Sequence, residues 1–101
     1  MLFSEYQKQA MVTRGEQCDT LYGAAKLMVE AAELAQPIVK NVYHSKAVDV
    51  DGIKEEIGDL FWYLALIADD YGIDLDDAAQ YNIDKLRARH GDKYNSAHYA
   101  S

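Results

Sequence analysis

Cysteine, proline and long apolar runs are all scarce in this sequence. Its 101 residues include one cysteine, Cys18, and one proline, Pro37. A single cysteine excludes an internal disulfide and any zinc site built from several cysteines. The longest apolar run, residues 60–68, is much shorter than the ~20 residues of a membrane-spanning helix, and no secretory leader is recognisable. We therefore expect a cytoplasmic protein that does not associate with membranes.

Positive charge is also scarce. Ten lysines and arginines stand against seventeen aspartates and glutamates, which gives a formal net charge of −7. Such a charge disfavours binding to a nucleic acid polymer or to an anionic membrane surface. An anionic ligand would need a metal ion or a local basic patch. The length predicts a single domain over residues 1–101.

Strand-like alternation is lacking, whereas apolar residues recur at helical spacing in four segments. The predicted helices span residues 4–14, 19–43, 49–72 and 74–90, followed by a tail at 92–101. Pro37 predicts a kink in the second helix or its break into two. The expected fold class is all-α, a compact bundle of four to five helices in which the two central antiparallel helices carry the chemistry.

The third predicted helix is apolar on two sides. One side carries Trp62, Tyr63 and Leu66, and the other belongs to the predicted core. A helix of this kind must be buried on both sides, inside a bundle or against another subunit. The side chains expected to face the core are Leu27, Ala31, Leu34, Ile38, Ile53, Ile57, Leu60, Leu64, Ala68, Tyr71, Leu75, Ala79, Ile83 and Leu86.

The second and third helices share a near repeat of two acids, spaced one helical turn apart. Glu30 and Glu33 form the first pair, and Glu56 and Asp59 form the second. Each pair lies on the same flank of its helix's apolar stripe. A short connection favours antiparallel packing of the two helices, which would bring both acidic flanks to one side of the interface. The repeat therefore predicts four converging carboxylates.

Converging carboxylates repel one another, and neither motif contains a basic residue to balance them. A divalent cation would do so, and oxygen-only ligands suit Mg²⁺, with Mn²⁺ as an alternative. One such pair alone is usually an ordinary solvated helix face, whereas two pairs in matched register favour a site. A di-iron centre would require Glu-x-x-His motifs, and no histidine of this chain lies three residues after a glutamate.

The pattern Glu-x-x-Glu, 22 intervening residues and Glu-x-x-Asp resembles the signature of the MazG-like all-α NTP pyrophosphohydrolases, including phage-type members. The resemblance spans nearly the whole chain. It implies Mg²⁺-dependent hydrolysis of a (d)NTP substrate to the monophosphate and pyrophosphate, for nucleotide housecleaning or pool control. It assigns catalytic and metal-ligand roles to Glu30, Glu33, Glu56 and Asp59. It also implies a homodimer or a dimer-of-dimers tetramer. Val29 and Ala32 depart from the family pattern.

Substrate contacts are expected from other polar side chains. Asn82, Lys85 and Arg89 share one face of the fourth helix and are candidates to bind phosphate or sugar, with Lys40 as a further candidate. Tyr63 lies one turn beyond Asp59 and is expected to reach a bound ligand. Tyr6 and Gln7 are further candidates, expected to close the pocket. Trp62 is expected in the core or at a subunit interface, with stacking on a base bound to a neighbouring subunit as the alternative. The rival hypothesis is a catalytically silent regulatory or metal-binding helical partner.

Overall fold

Four α-helices make up residues 1–91, the part of the chain that the computed structural model describes. They are α1 (Phe3–Val12), α2 (Thr20–His44), α3 (Val50–Asp70) and α4 (Leu75–His90). These residues contain no strand, so the predicted all-α fold class is confirmed. None of these helices is both long and apolar enough to cross a membrane. The predicted tail, residues 92–101, lies outside the described residues.

Carboxylates cap three of the helices. Asp19 accepts a hydrogen bond from the backbone N–H of Tyr22 at 2.8 Å, and Asp74 caps α4 in the same manner. The start of α1 is capped from another helix. Asp76 of α4 accepts hydrogen bonds from the Ser4 hydroxyl at 2.7 Å and from two backbone N–H groups of α1. These bonds, above all that of the Ser4 hydroxyl, lower the pKa of Asp76 and tie α4 to α1.

Helix α2 continues through Pro37 to His44, so the predicted alternative of a break into two helices is wrong. Proline has no N–H, and the carbonyl of Glu33 therefore lacks its usual helical donor. Two features stabilise the end of α2 that follows Pro37. Ser45 ends the helix in the left-handed conformation, and the side-chain amide of Asn41 donates to the carbonyl of Lys46 at 2.7 Å.

Helices α2 and α3 pack antiparallel, as predicted. Gly23 near the start of α2 contacts Leu66 near the end of α3, and the two helices approach so closely that a Cβ at position 23 would lie 2.6 Å from Leu66 Cδ2. Leu66 is fully buried. Ala65 and Ala68 of α3 are also buried. Helix α1 packs against α3 as well, and its Ala10 is buried.

Part of the predicted core is exposed. Among the predicted core residues of α3, Ile57 and Leu64 are 40% and 42% exposed. Tyr71, just after the helix, is 69% exposed, whereas Ala68 is buried. The reason is that α3 is apolar on two faces and α2 covers the face that carries the acids and Leu66. The other face borders an apolar groove of about 430 Å³ between α1, α3 and α4. The predicted core residues Ala31, Ile38 and Ile83 are likewise exposed.

An ion pair holds the α1–α2 connection on the end of α3. The guanidinium of Arg14 donates to both carboxylate oxygens of Asp70, at 2.7 and 3.0 Å, and to the carbonyl of Cys18 at 2.8 Å. The hydroxyl of Thr20 donates to the same carboxylate. The Arg14 hydrogen bonds, followed by that of Thr20, lower the pKa of Asp70 below its ordinary value of 3.8.

This network predicts a loss of stability in acid. A carboxylate whose pKa is lowered by folding stabilises the protein above the unfolded pKa, and that stabilisation is lost as the pH falls through the folded pKa. The free energy of unfolding of the wild type should therefore fall more between about pH 6 and about pH 3 than that of Asp70→Asn. Urea titrations at both pH values measure it. Glu16→Gln, a change at an exposed loop acid, should behave like the wild type; an equal fall in Asp70→Asn would contradict the prediction.

Candidate metal and substrate site

The antiparallel pairing of α2 and α3 brings three of the four predicted acids together. One carboxylate oxygen from each of Glu30, Glu33 and Glu56 lies within 4.8 Å of the other two. Glu30 is buried, with 8% of its surface exposed, whereas Glu56 is half-buried and Glu33 is exposed. The cluster therefore extends from the helix interface to the protein surface. A ligand can approach it from the side of Glu33.

The fourth acid, Asp59, follows Glu56 by one turn of α3 and is exposed. Its carboxylate is not part of the group within 4.8 Å, so the predicted convergence of four acids holds for three of them. Its negative charge nevertheless acts on the neighbouring groups, because it raises the pKa values of Glu30, Tyr63 and Tyr6. Asp59 therefore lies at the edge of the cluster.

The cluster is electrostatically unfavourable without a cation. A hydrogen bond between Glu30 and Glu56 raises the pKa of Glu30, and burial and the charges of Glu56 and Asp59 raise it further. Oε2 of Glu30 and Oε2 of Glu56 are both buried, and neither has a hydrogen-bond partner within residues 1–91. A buried carboxylate oxygen without a donor is costly, and a hard divalent cation is the ligand that would satisfy it. The donor set fits Mg²⁺ or Mn²⁺.

Tyr63 lies close enough to this cluster for the charges of Glu30 and Asp59 to act on it. Burial, followed by a hydrogen bond with Tyr22 and by the charges of Glu30 and Asp59, raises the pKa of Tyr63 to about 12. Its ring contacts that of Tyr22, with centroids 6.2 Å apart. Sequence reasoning missed Tyr22, although it lies two turns before Glu30 on the same face of α2. The Tyr63 phenol stays protonated at neutral pH and can only donate or accept hydrogen bonds there.

Lys26 is the second residue that sequence reasoning missed. Lys26 precedes Glu30 by one turn of α2, and its ammonium nitrogen lies 3.8 Å from Oε1 of Glu30. The acid cluster therefore has a basic neighbour that neither motif supplies. The motif itself contains no lysine, but the helical turn before it does, and the i,i+4 spacing of Lys26 and Glu30 was a readable signal.

The remaining wall candidates divide into two groups. Tyr6 borders the site, since burial and the charge of Asp59 raise its pKa. Gln7 instead bridges α1 to the α3–α4 turn, donating to the carbonyl of Ile73 at 2.9 Å and accepting from the N–H of Leu75 at 3.0 Å. The Trp62 indole N–H donates to Thr13 Oγ1 at 2.8 Å. Gln7 and Trp62 thus hold elements together.

The predicted phosphate contacts lie on α4 and on the C-terminal half of α2. Asn82 lines the apolar groove on the far face of α3, and Lys85 and Arg89 follow it along α4, which packs mainly against α1. Lys40 borders a small surface pocket with Pro37 about two turns beyond Glu33. The phosphate roles of these four side chains stay predictions.

Comparison with known proteins is consistent with this geometry. Residues 20–93 match the family model of the MazG nucleotide pyrophosphohydrolase domain. The Gene 37 protein of Mycobacterium phage L5 is 30% identical over 80 residues, which cover 71% of this chain and 70% of that protein. No solved structure matches the chain.

Proposed function

Because the chain belongs to the MazG nucleotide pyrophosphohydrolase family, we propose that it hydrolyses a (deoxy)nucleoside triphosphate to the monophosphate and pyrophosphate with Mg²⁺ as cofactor. The observation that carries this proposal is the cluster of Glu30, Glu33 and Glu56, with its two buried carboxylate oxygens that lack donors. A catalytically silent helical partner would not need these carboxylates, whose mutual repulsion at a helix interface destabilises the fold.

Four carboxylates would hold the metal in this proposal: Glu30, Glu33, Glu56 and Asp59. Bound Mg²⁺ supplies positive charge that neutralises phosphate oxygens and makes a water more acidic. Glu30 is buried and anchors the site, whereas Glu33 is exposed and reachable by solvent. We therefore assign to Glu33 the acceptance of a proton from the attacking water. The water oxygen bonds to the α-phosphorus, the bond to the α,β-bridging oxygen breaks, and pyrophosphate leaves.

The phenol of Tyr63 is protonated throughout the neutral range because its pKa is about 12. It can therefore donate a hydrogen bond to an anionic substrate oxygen at every working pH. Tyr22 shares the hydrogen bond that orients it and is a further candidate for substrate contact. Tyr63 therefore cannot serve as a general base near pH 7.

We also propose a homo-oligomer, a dimer or a dimer of dimers. Its support is the exposed apolar surface of α2, where Met28 is 72% exposed, Val39 50% and Val42 70%. Several exposed apolar side chains along one helix of a small protein are typical of an interface. In such an oligomer, Asn82, Lys85 and Arg89 are our candidates to contact substrate bound to a neighbouring copy. Light scattering tests this proposal, and a stable monomer at micromolar concentration would contradict it.

The experiment for the reaction itself is a panel assay of each (d)NTP with Mg²⁺, with products separated by chromatography. Monophosphate and pyrophosphate are expected in equal amounts. Diphosphate and phosphate would indicate a different phosphohydrolase reaction. Metal binding without turnover of any nucleotide would favour the silent metal-binding partner. The assay also identifies the preferred base and sugar.

A further inference from the structure

Lys26 is the basic residue that the structure places at the acid cluster. Its ammonium nitrogen lies 3.8 Å from Oε1 of Glu30, and its side chain is 37% exposed, whereas that of Glu30 is 11% exposed. At 3.8 Å the two groups attract one another without forming a hydrogen bond. The ammonium is thus held loosely, at the solvent end of a flexible four-carbon chain, over a carboxylate fixed inside the helix interface.

A bound nucleoside triphosphate would offer the ammonium of Lys26 a second anionic partner. A nucleoside triphosphate is itself strongly anionic, and it would approach a cluster of carboxylates on a chain of net charge −7. Glu30 would be one of the carboxylates that hold a divalent ion, and the ion would neutralise part of that charge. The ammonium of Lys26 would then lose its carboxylate partner and would lie beside the phosphate oxygens.

We propose that Lys26 changes partner when the site is loaded, from the carboxylate of Glu30 in the empty site to a phosphate oxygen of the bound nucleoside triphosphate. This inference rests on the proposed function. The proposal also predicts on which side of the acid cluster the substrate's phosphates bind. Lys26 lies on α2 between Tyr22 and Glu30, one turn from each, so the phosphate that it holds lies on the tyrosine side of the cluster.

The partner change predicts effects of opposite sign in Lys26→Met. The ammonium competes with metal for Glu30, so its removal should tighten Mn²⁺ binding without nucleotide by about threefold, the scale of an exposed ion pair. The same variant should bind an α,β-imido nucleoside triphosphate analogue, with Mn²⁺ present, about tenfold more weakly, since a charge-assisted hydrogen bond is lost. Calorimetry measures both affinities. Lys26→Arg should retain most of the analogue affinity.

The matched control is Lys54→Met, which removes the same charge from an exposed position of α3. Both of its affinities should equal those of the wild type. A fall in both affinities of Lys26→Met would indicate a structural role, and no change in either would leave the lysine without a function; each result overturns the inference. If the wild type binds the analogue but cleaves no (d)NTP, the proposed function is contradicted. The two binding measurements then still decide whether Lys26 changes partner. A wild type that binds no analogue overturns both.

Discussion

Replacing Glu56 by glutamine is expected to lower kcat/KM by a factor of about 1,000 or more, equivalent to about 4 kcal/mol of transition-state stabilisation. Glutamine preserves the size of the side chain and removes its negative charge. The carboxylate of Glu56 belongs to the group within 4.8 Å, and its hydrogen bond is the largest influence on the pKa of Glu30. Loss of its charge should therefore weaken metal binding and abolish most turnover. Steady-state assays with the preferred nucleotide measure the change.

Two further measurements separate this effect from unfolding. Glu55→Gln makes the same change at the adjacent, exposed residue of α3, and its kcat/KM should stay within about twofold of the wild type. The metal-free Glu56→Gln protein should melt no lower than the metal-free wild type, because one of the mutually repelling carboxylates is gone. An active Glu56→Gln enzyme would show that the acid cluster is not the catalytic centre.

Leu66→Ala is expected to lower the free energy of unfolding by about 3 to 5 kcal/mol. Leu66 is fully buried where α2 and α3 approach closely at Gly23, and few other apolar side chains of residues 1–91 are buried at all. A cavity at this contact removes a large share of the packing between the two helices that carry the site. Urea unfolding at a fixed protein concentration measures it, since association would also contribute to stability.

Leu21→Ala is the matched control, because the same atoms are removed from a side chain that is 78% exposed. Its free energy of unfolding should change by less than about 0.5 kcal/mol. A loss below about 1 kcal/mol in Leu66→Ala would mean that the α2–α3 contact is not the main source of stability.

The sequence was sufficient to predict the helices and the meeting of acids across an antiparallel pair. Helical periodicity locates apolar stripes, and the matched spacing of Glu30 and Glu56 within their stripes fixes which acids face one another. It was not sufficient to decide which face of α3 meets α2. Both faces are apolar, and the choice depends on the close approach that Gly23 allows to Leu66.

Residues outside the motifs were harder to assign. Lys26 and Tyr22 lie one and two turns before Glu30 on α2, outside the two motifs, so only their helical spacing from Glu30 connects them with the site. Asp76 caps α1 from a helix that is distant in the chain, a contact that only tertiary packing creates. Gln7 was predicted at the pocket wall and instead satisfies two backbone groups of the α3–α4 turn.

The contact of Gly23 with Leu66 also constrains how this protein can evolve. A methyl group at position 23 would collide with Leu66 Cδ2, so alanine there requires a shift of the buried leucine side chain, a smaller residue at position 66 or a wider helix spacing. A wider spacing would separate the carboxylates on the two helices. Selection therefore acts on the summed volume of the two side chains, and in homologous sequences the two positions are expected to covary, with valine or alanine at 66 wherever residue 23 is not glycine.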